Sequence, residues 1–319
     1  MKKTKLRYDR IAIFLVIIII IIISIIFGIK HIIYTHSYEY KFLKLGYNNE
    51  ETNYLLTISN DKKDYILSLD YEDKIVEIMK QKYFLWKNLT KYLDYYKNNN
   101  NKNLEDIIAI INVKANNNWY DEQYINETNI TNKYQILVNK FNYLPDNYDK
   151  TIEIEKISNW YSYGNEYIEK ETYQQFIKMF NAAKEENLTL IINSGYRTNQ
   201  EQKELYEERY ESQGIEEADK YAARPKFSEH ETGLAIDVFT PNYATTESFE
   251  NSDEYKWLIN NSYKYGFILR YPKDKEYLTG YNYESWHFRY LGKELASKVY
   301  SSGLTYDEYY AYYIEGNEE

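Results

Sequence analysis

Nineteen consecutive uncharged residues, Ile11 to Ile29, constrain this chain more than any other stretch, since almost all are Ile, Leu, Val or Phe. At about 1.5 Å per residue, a helix of that length spans about 28 Å, close to the hydrocarbon core of a bilayer. Before it, Lys2, Lys3, Lys5, Arg7 and Arg10 against Asp9 give a local charge of plus four. A positive flank of this kind stays in the cytoplasm, which puts the C-terminal bulk outside. A cleaved signal peptide has a shorter apolar region and a small-residue cleavage site, whereas Lys30-His31-Ile32-Ile33-Tyr34 follow here. The expectation is a basic cytoplasmic tail over 1–10 and an uncleaved single-pass anchor over 11–33, placing the folded part outside the cell membrane.

The 319 residues leave room for one domain of ordinary size and something smaller. With the whole chain at minus ten, the part beyond the anchor carries about minus fourteen, which argues against a nucleic-acid partner. The same charge disfavours adhesion to anionic wall polymer by simple attraction. Zero cysteines exclude disulfides, thiol catalysis and any Cys-ligated zinc site. Residues 38–105 read as a small helical module, with short amphipathic runs at 50–58, 65–69, 73–79 and 88–96 separated by Asn, Asp and Lys clusters. A spacer is its simplest role, and a wall- or partner-binding module is the functional alternative.

Chemistry concentrates further on. Ser228-Glu229-His230-Glu231-Thr232-Gly233-Leu234-Ala235-Ile236-Asp237 puts an imidazole and a carboxylate seven residues apart. Leu234, Ile236 and Val238 alternate with Ala235, Asp237 and Phe239, so Asp237 points away from the aliphatic face of a strand. Gly233 lets the backbone turn so that His230 folds back toward Asp237. Both are plausible ligands for a zinc-type ion. In Tyr283-Glu284-Ser285-Trp286-His287-Phe288-Arg289-Tyr290, His287 supplies a third ligand, leaving a fourth position open. A turn at 284–286 followed by a strand from His287 places the Glu284 carboxylate beside the open position, as a general base for water. The chain has four histidines; His31 and His36 flank the apolar run, so the folded part holds only His230 and His287. That both fall in motifs with a nearby carboxylate favours a site over two unrelated structural histidines.

Together, S-E-H-E-T-G-L-A-I-D, Y-G-F-I-L-R-Y-P (265–272) and E-S-W-H-F-R-Y (284–290) resemble the VanY-type D-alanyl-D-alanine carboxypeptidases. These belong to a wider family of zinc peptidases that includes VanX-like dipeptidases and L,D-carboxypeptidases. Ser194-Gly195-Tyr196-Arg197-Thr198 with Gln202 resembles a fourth block of that family, with Thr198 in place of a serine. The resemblance covers roughly residues 135 to 300. It implies one Zn2+ per chain held by His230, Asp237 and His287, Glu284 as catalytic base, and Arg197 binding substrate or stabilising the transition state. Gln202, Ser228 and Trp286 are candidate substrate contacts, Trp286 being equally suited to the core. Arg197, a planar fork suited to a carboxylate, stands at the end of a strand over 188–193. A helix over 200–211 follows it, with its positive end near an anionic ligand.

The remaining pattern predicts a strand-like lead-in over 137–144, an amphipathic helix over 173–186, a short helix over 214–223 and a helix over 255–265 closed by Gly266. A strand over 267–271, a closing helix over 291–299 and a capping box at Thr305–Glu308 complete it. The resemblance implies an α+β fold whose mostly antiparallel sheet, with flanking helices, carries the zinc site. The expected domains are the tail, the anchor, the 38–105 module, a peptidase domain over 106–303 and a C-terminal helix and tail over 304–319. The expected function is hydrolysis of the terminal D-Ala-D-Ala bond of peptidoglycan stem peptides. The alternatives are an L,D-carboxypeptidase on tetrapeptide stems and a non-catalytic peptidoglycan-binding protein.

Overall fold

A computed structural model describes residues 8–241 and 249–315, with side chains from Arg10 onward. Most of the expected basic tail and the last four residues of the expected 304–319 segment lie outside the described residues. The apolar run forms helix α1 (Tyr8–His36); within its stretch from Arg10 to His36 an 18-residue window has a mean hydropathy of 3.5, and the stretch is long and apolar enough to cross a membrane. Its isoleucines and phenylalanines face outward all round the helix, the pattern of a segment whose surroundings are themselves apolar.

The chain divides into two compact units, at residues up to 84 with 89–100, and 85–88 with 101 onward. The first continues from α1 with α2 (Tyr38–Leu45), α3 (Asn49–Leu56), α4 (Asn60–Ser68), α5 (Ile75–Met79) and α6 (Leu89–Asn98). Two of these helices start where side chains cap them: Ser37 accepts from Tyr40 N–H at α2, and Asn48 and Glu51 form a reciprocal capping box at α3. Phe42, Leu55, Ile66, Ile75, Ile78, Leu89 and Tyr92 of this unit are fully buried. The apolar runs read from sequence thus overlap helices, with boundaries shifted by a few residues.

The second unit opens with α7 (Leu104–Asn112), capped by Asn103. Two small pairings follow, β1 (Asn126–Glu127) parallel to β2 (Asn142–Tyr143), and β3 (Ile154–Lys156) antiparallel to β4 (Tyr167–Glu169). Next come α8 (Lys170–Glu185), β5 (Ile191–Ser194), α9 (Asn199–Gln213), α10 (Ile215–Tyr221) and β6 (Ala235–Phe239). Beyond the undescribed 242–248 lie α11 (Asp253–Asn261), β7 (Phe267–Leu269), α12 (Glu276–Thr279), β8 (His287–Tyr290), α13 (Lys293–Ser302) and α14 (Tyr306–Tyr309). A π-helical turn, Tyr310–Ile314, prolongs α14.

The central sheet has the order β5-β6-β8-β7, antiparallel throughout. One face carries Ile192, Ile236, Val238 and Phe288, all fully buried against Phe176, Met179, Phe180 and Ala183 of α8. The lead-in over 137–144 is a correction. Only Asn142–Tyr143 is strand; at 139–142 the Asn139 side chain accepts from the N–H groups of Phe141 and Asn142. That buried side-chain acceptor replaces ladder partners, so the apolar residues bury themselves through a turn instead of a strand.

Candidate active site and metal centre

Register places the site. Ser194 of β5 is paired with Asp237 of β6, and Asp237 with His287 of β8, so three side chains stand abreast on the face opposite the α8 core. His230 enters from a one-turn 3-10 helix, Glu229–Thr232, whose first N–H groups are held by Ser228: its hydroxyl accepts from His230 N–H at 3.3 Å. Gly233 ends the turn at φ +70°, a conformation that permits the reversal into β6. A side chain at Gly195 has no room because the Tyr167 carbonyl occupies the space. That close approach lets the Gly195 carbonyl meet Nδ1 of His230 at 2.7 Å. Nδ1 therefore bears the proton, and Nε2 is left as the ligand atom.

Nε2 of His230 lies 3.4 Å from Asp237 Oδ1, and Nδ1 of His287 lies 3.2 Å from the same oxygen. All three ligand atoms fall within 4.8 Å of one another. A tetrahedral zinc with bonds of about 2.0–2.1 Å separates its ligand atoms by about 3.3 Å, so these spacings fit a shared ion. Asp237 Oδ1 is buried yet makes no hydrogen bond; an orphaned carboxylate oxygen between two imidazoles is a donor set suited to a divalent cation. Burial pushes the Asp237 carboxyl up, but the two imidazoles outweigh it and hold it well below the carboxylate range.

Glu284 and Arg197 flank this set. The turn at 285–286 brings Glu284 Oε2 to 3.5 Å from His287 Nδ1. Burial is the main reason its carboxyl rises to about 7; Asp237 adds to the rise and His287 opposes it. Such a group both takes and returns a proton near neutral pH. Arg197 donates to Ser194 Oγ at 3.1 Å and to Gln202 Oε1 at 2.9 Å, and its Nη2 lies 3.6 Å from Asp237. Gln202 is buried and its amide donates to the Ala223 carbonyl, so it holds Arg197 in place. Trp286 stacks on Phe239 at 6.3 Å and also lines the cleft. This cleft, about 410 Å³, brings Arg197, Gln202, Ser228, His230, Asp237, Glu284, Trp286 and His287 together. The start of α9 departs from expectation: Thr198 and Glu201 cap each other, and Thr198, Asn199 and Gln200 face a neighbouring cleft with Asp146 and Asp149.

Sequence reasoning missed what stands behind His287. Its Nε2 lies 3.4 Å from Glu229 Oε2, and Glu229 Oε1 accepts from Arg270 Nε at 2.7 Å and Arg289 Nη1 at 2.8 Å. Arg270 also donates to Asp307 of α14, which accepts from Asn139 at 2.7 Å. Arg270 and Arg289 are fully buried. Burial pushes Glu229 up, but the two guanidiniums prevail and keep it ionised well below the usual range. The available signal was an arginine inside each of two apolar strands, since buried charges require partners.

The VanY family model, described as D-alanyl-D-alanine carboxypeptidase, matches residues 165–293. The bifunctional D-Ala-D-Ala dipeptidase and D-Ala-D-Ala carboxypeptidase VanXYC of Enterococcus gallinarum is 34% identical over 150 residues, covering 46% of this chain and 78% of that protein. The chain belongs to the VanY family. A D-alanyl-D-alanine carboxypeptidase of Enterococcus faecalis (strain ATCC 700802 / V583) is 38% identical over 183 residues, 54% of this chain; the chain spans 64% of that relative's length. Among solved structures, the LdcB LD-carboxypeptidase superposes with a TM-score of 0.54 at 36% identity, covering 60% of this chain and 96% of that one. The family match lies within the second unit and contains all of the residues assembled at the cleft. Asp307, which anchors the charge network, lies beyond it.

Proposed function

We propose that this VanY-family chain is a zinc-dependent D,D-carboxypeptidase that removes the terminal D-alanine of peptidoglycan stem peptides, with its catalytic unit held outside the cell by α1. The observation that carries the reading is the buried Asp237 oxygen, without a hydrogen bond, between His230 and His287, beside a Glu284 carboxyl raised to about 7. His230, Asp237 and His287 hold the zinc, which when bound lowers the pKa of a water to about 7 and polarises a carbonyl. Glu284 takes the proton of the attacking water. As oxygen adds to the carbonyl carbon and the C–N bond breaks, Glu284 delivers that proton to the departing amine of D-alanine. Arg197, fixed by Ser194 and Gln202, pairs with the terminal carboxylate of the substrate and so selects a free C-terminus. Trp286 walls the cleft, and Ser228 acts first by capping the His230 turn. The module of residues 38–105 serves as a spacer.

An L,D-carboxypeptidase acting on tetrapeptide stems is the second reading, favoured by the superposition on the LdcB LD-carboxypeptidase. One experiment separates them. The full chain in detergent, loaded with zinc, is incubated with stem peptides ending in D-Ala-D-Ala or in a single D-Ala, and D-alanine release is followed by mass spectrometry. Release from the pentapeptide, falling at least a hundredfold in Glu284→Ala while zinc stays bound, supports the D,D reading. Cleavage of the tetrapeptide alone moves the assignment to L,D. A zinc-bound protein that cleaves neither sinks both and leaves a peptidoglycan-binding role.

A further inference from the structure

The cleft that holds the site continues past Arg197 and Gln202 to a second arginine. Arg209 is half-buried on α9 and lines the same cleft, with Tyr221 beside it. Its guanidinium carbon lies 5.4 Å from the centre of the Tyr221 ring. Helix α9 is rich in glutamates, yet among the described residues no carboxylate lies within ion-pair distance of Arg209; Lys203 on the same helix is 3.7 Å from Glu207. The acids lining the cleft, Glu229, Asp237 and Glu284, belong to the metal end. Arg197 is already engaged by Ser194, Gln202 and Asp237. One end of the cleft therefore carries a cation with no acid to balance it.

We infer that Arg209 is an anion subsite, taking a carboxylate of the substrate upstream of the bond that is cut. The inference rests on the carboxypeptidase reading and adds the substrate class to it. Stacking on Tyr221 orients the planar guanidinium and leaves its edge N–H groups free, the arrangement that suits a carboxylate. Spacing agrees. From its start to residue 209, α9 rises about 15 Å. An extended peptide advances about 3.5 Å per residue, so two or three residues plus the reach of an arginine cover that distance. Stem peptides carry carboxylates there: the α-carboxylate of the γ-linked glutamate and, where the third residue is diaminopimelate, the carboxylate ending its side chain. A stem with amidated glutamate and lysine offers neither.

The test compares four pentapeptide stems, glutamate or its amide at position two and diaminopimelate or lysine at position three. Each is cleaved by the zinc-loaded full chain in detergent, as wild type, Arg209→Ala and Arg209→Lys. Wild type is expected to favour a carboxylate-bearing stem by about tenfold in kcat/KM. Arg209→Ala loses most of that preference, chiefly through KM, and Arg209→Lys keeps part of it. The stem that carries the preference identifies which carboxylate is read. An equal preference in wild type and Arg209→Ala overturns the subsite while leaving the carboxypeptidase reading standing. If wild type cleaves no stem, that reading falls, and calorimetric binding of the same peptides decides the subsite. Weaker binding of acidic stems alone in Arg209→Ala supports it, and identical binding overturns it.

Discussion

His287 faces opposed demands. Burial works against its imidazolium, but the neighbouring carboxylates of Asp237 and Glu229 outweigh burial and raise its pKa to about 9. Without a cation the ring therefore holds a proton at neutral pH, and a metal binding at Nδ1 displaces it. Zinc binding at pH 7 should release about one proton from this group, and affinity should rise with pH toward 9 as competition by the proton fades. Calorimetry in two buffers of different ionisation enthalpy measures the release; identical heats in both would contradict it. Glu229 orients the same ring from behind. Glu229→Gln keeps the size but removes the charge that faces Nε2, and zinc affinity, read by chelator competition, should fall about 10–100-fold. An unchanged affinity in a folded Glu229→Gln protein would mean that the carboxylate only balances Arg270 and Arg289.

At the scale of elements, α14 is tied to the sheet by the ion pair of Asp307 with the fully buried Arg270. Removing one partner of such a pair leaves an uncompensated charge in the interior. Asp307→Ala should cost about 3–5 kcal/mol in urea unfolding, whereas Lys298→Ala, whose pair with Glu294 on α13 is exposed, should leave the unfolding midpoint unchanged. Similar losses for the two would show that the buried network is not what fastens α14. The sequence made α14 readable as a helix, because a capping box is local: Thr305 and Glu308 are three residues apart. The His230, Asp237 and Glu284-His287 cluster was readable for the same reason, with strand alternation and one glycine turn bringing it to one face. Glu229, Arg270, Arg289 and Asp307 were not, since their pairing spans up to 60 residues and exists only once β7, β8 and α14 are packed. The misread lead-in at 137–144 has the opposite cause. Apolar residues there are as buried as in a strand, but Asn139 supplies hydrogen bonds that a periodic pattern does not encode.

For the whole molecule, the arrangement that decides function is the side of the membrane on which the VanY-family unit lies. The basic flank before α1 predicts the outside, and the proposed action on the stem peptides of the assembled wall requires it, since cross-linked wall lies there. The absence of cysteine makes this directly measurable. Ser212 is exposed near the end of α9, where its hydroxyl bonds only the Arg209 carbonyl one turn back, so Ser212→Cys adds a single thiol without entering the charge network. In intact cells a membrane-impermeant maleimide should label this variant as fully as it does after lysis, while the cysteine-free parent stays unlabelled under both conditions. Labelling that appears only after lysis would put the unit in the cytoplasm. A zinc site, a general base and an arginine fork would then need a soluble peptide substrate in place of the wall, and the spacer role of residues 38–105 would lose its reason.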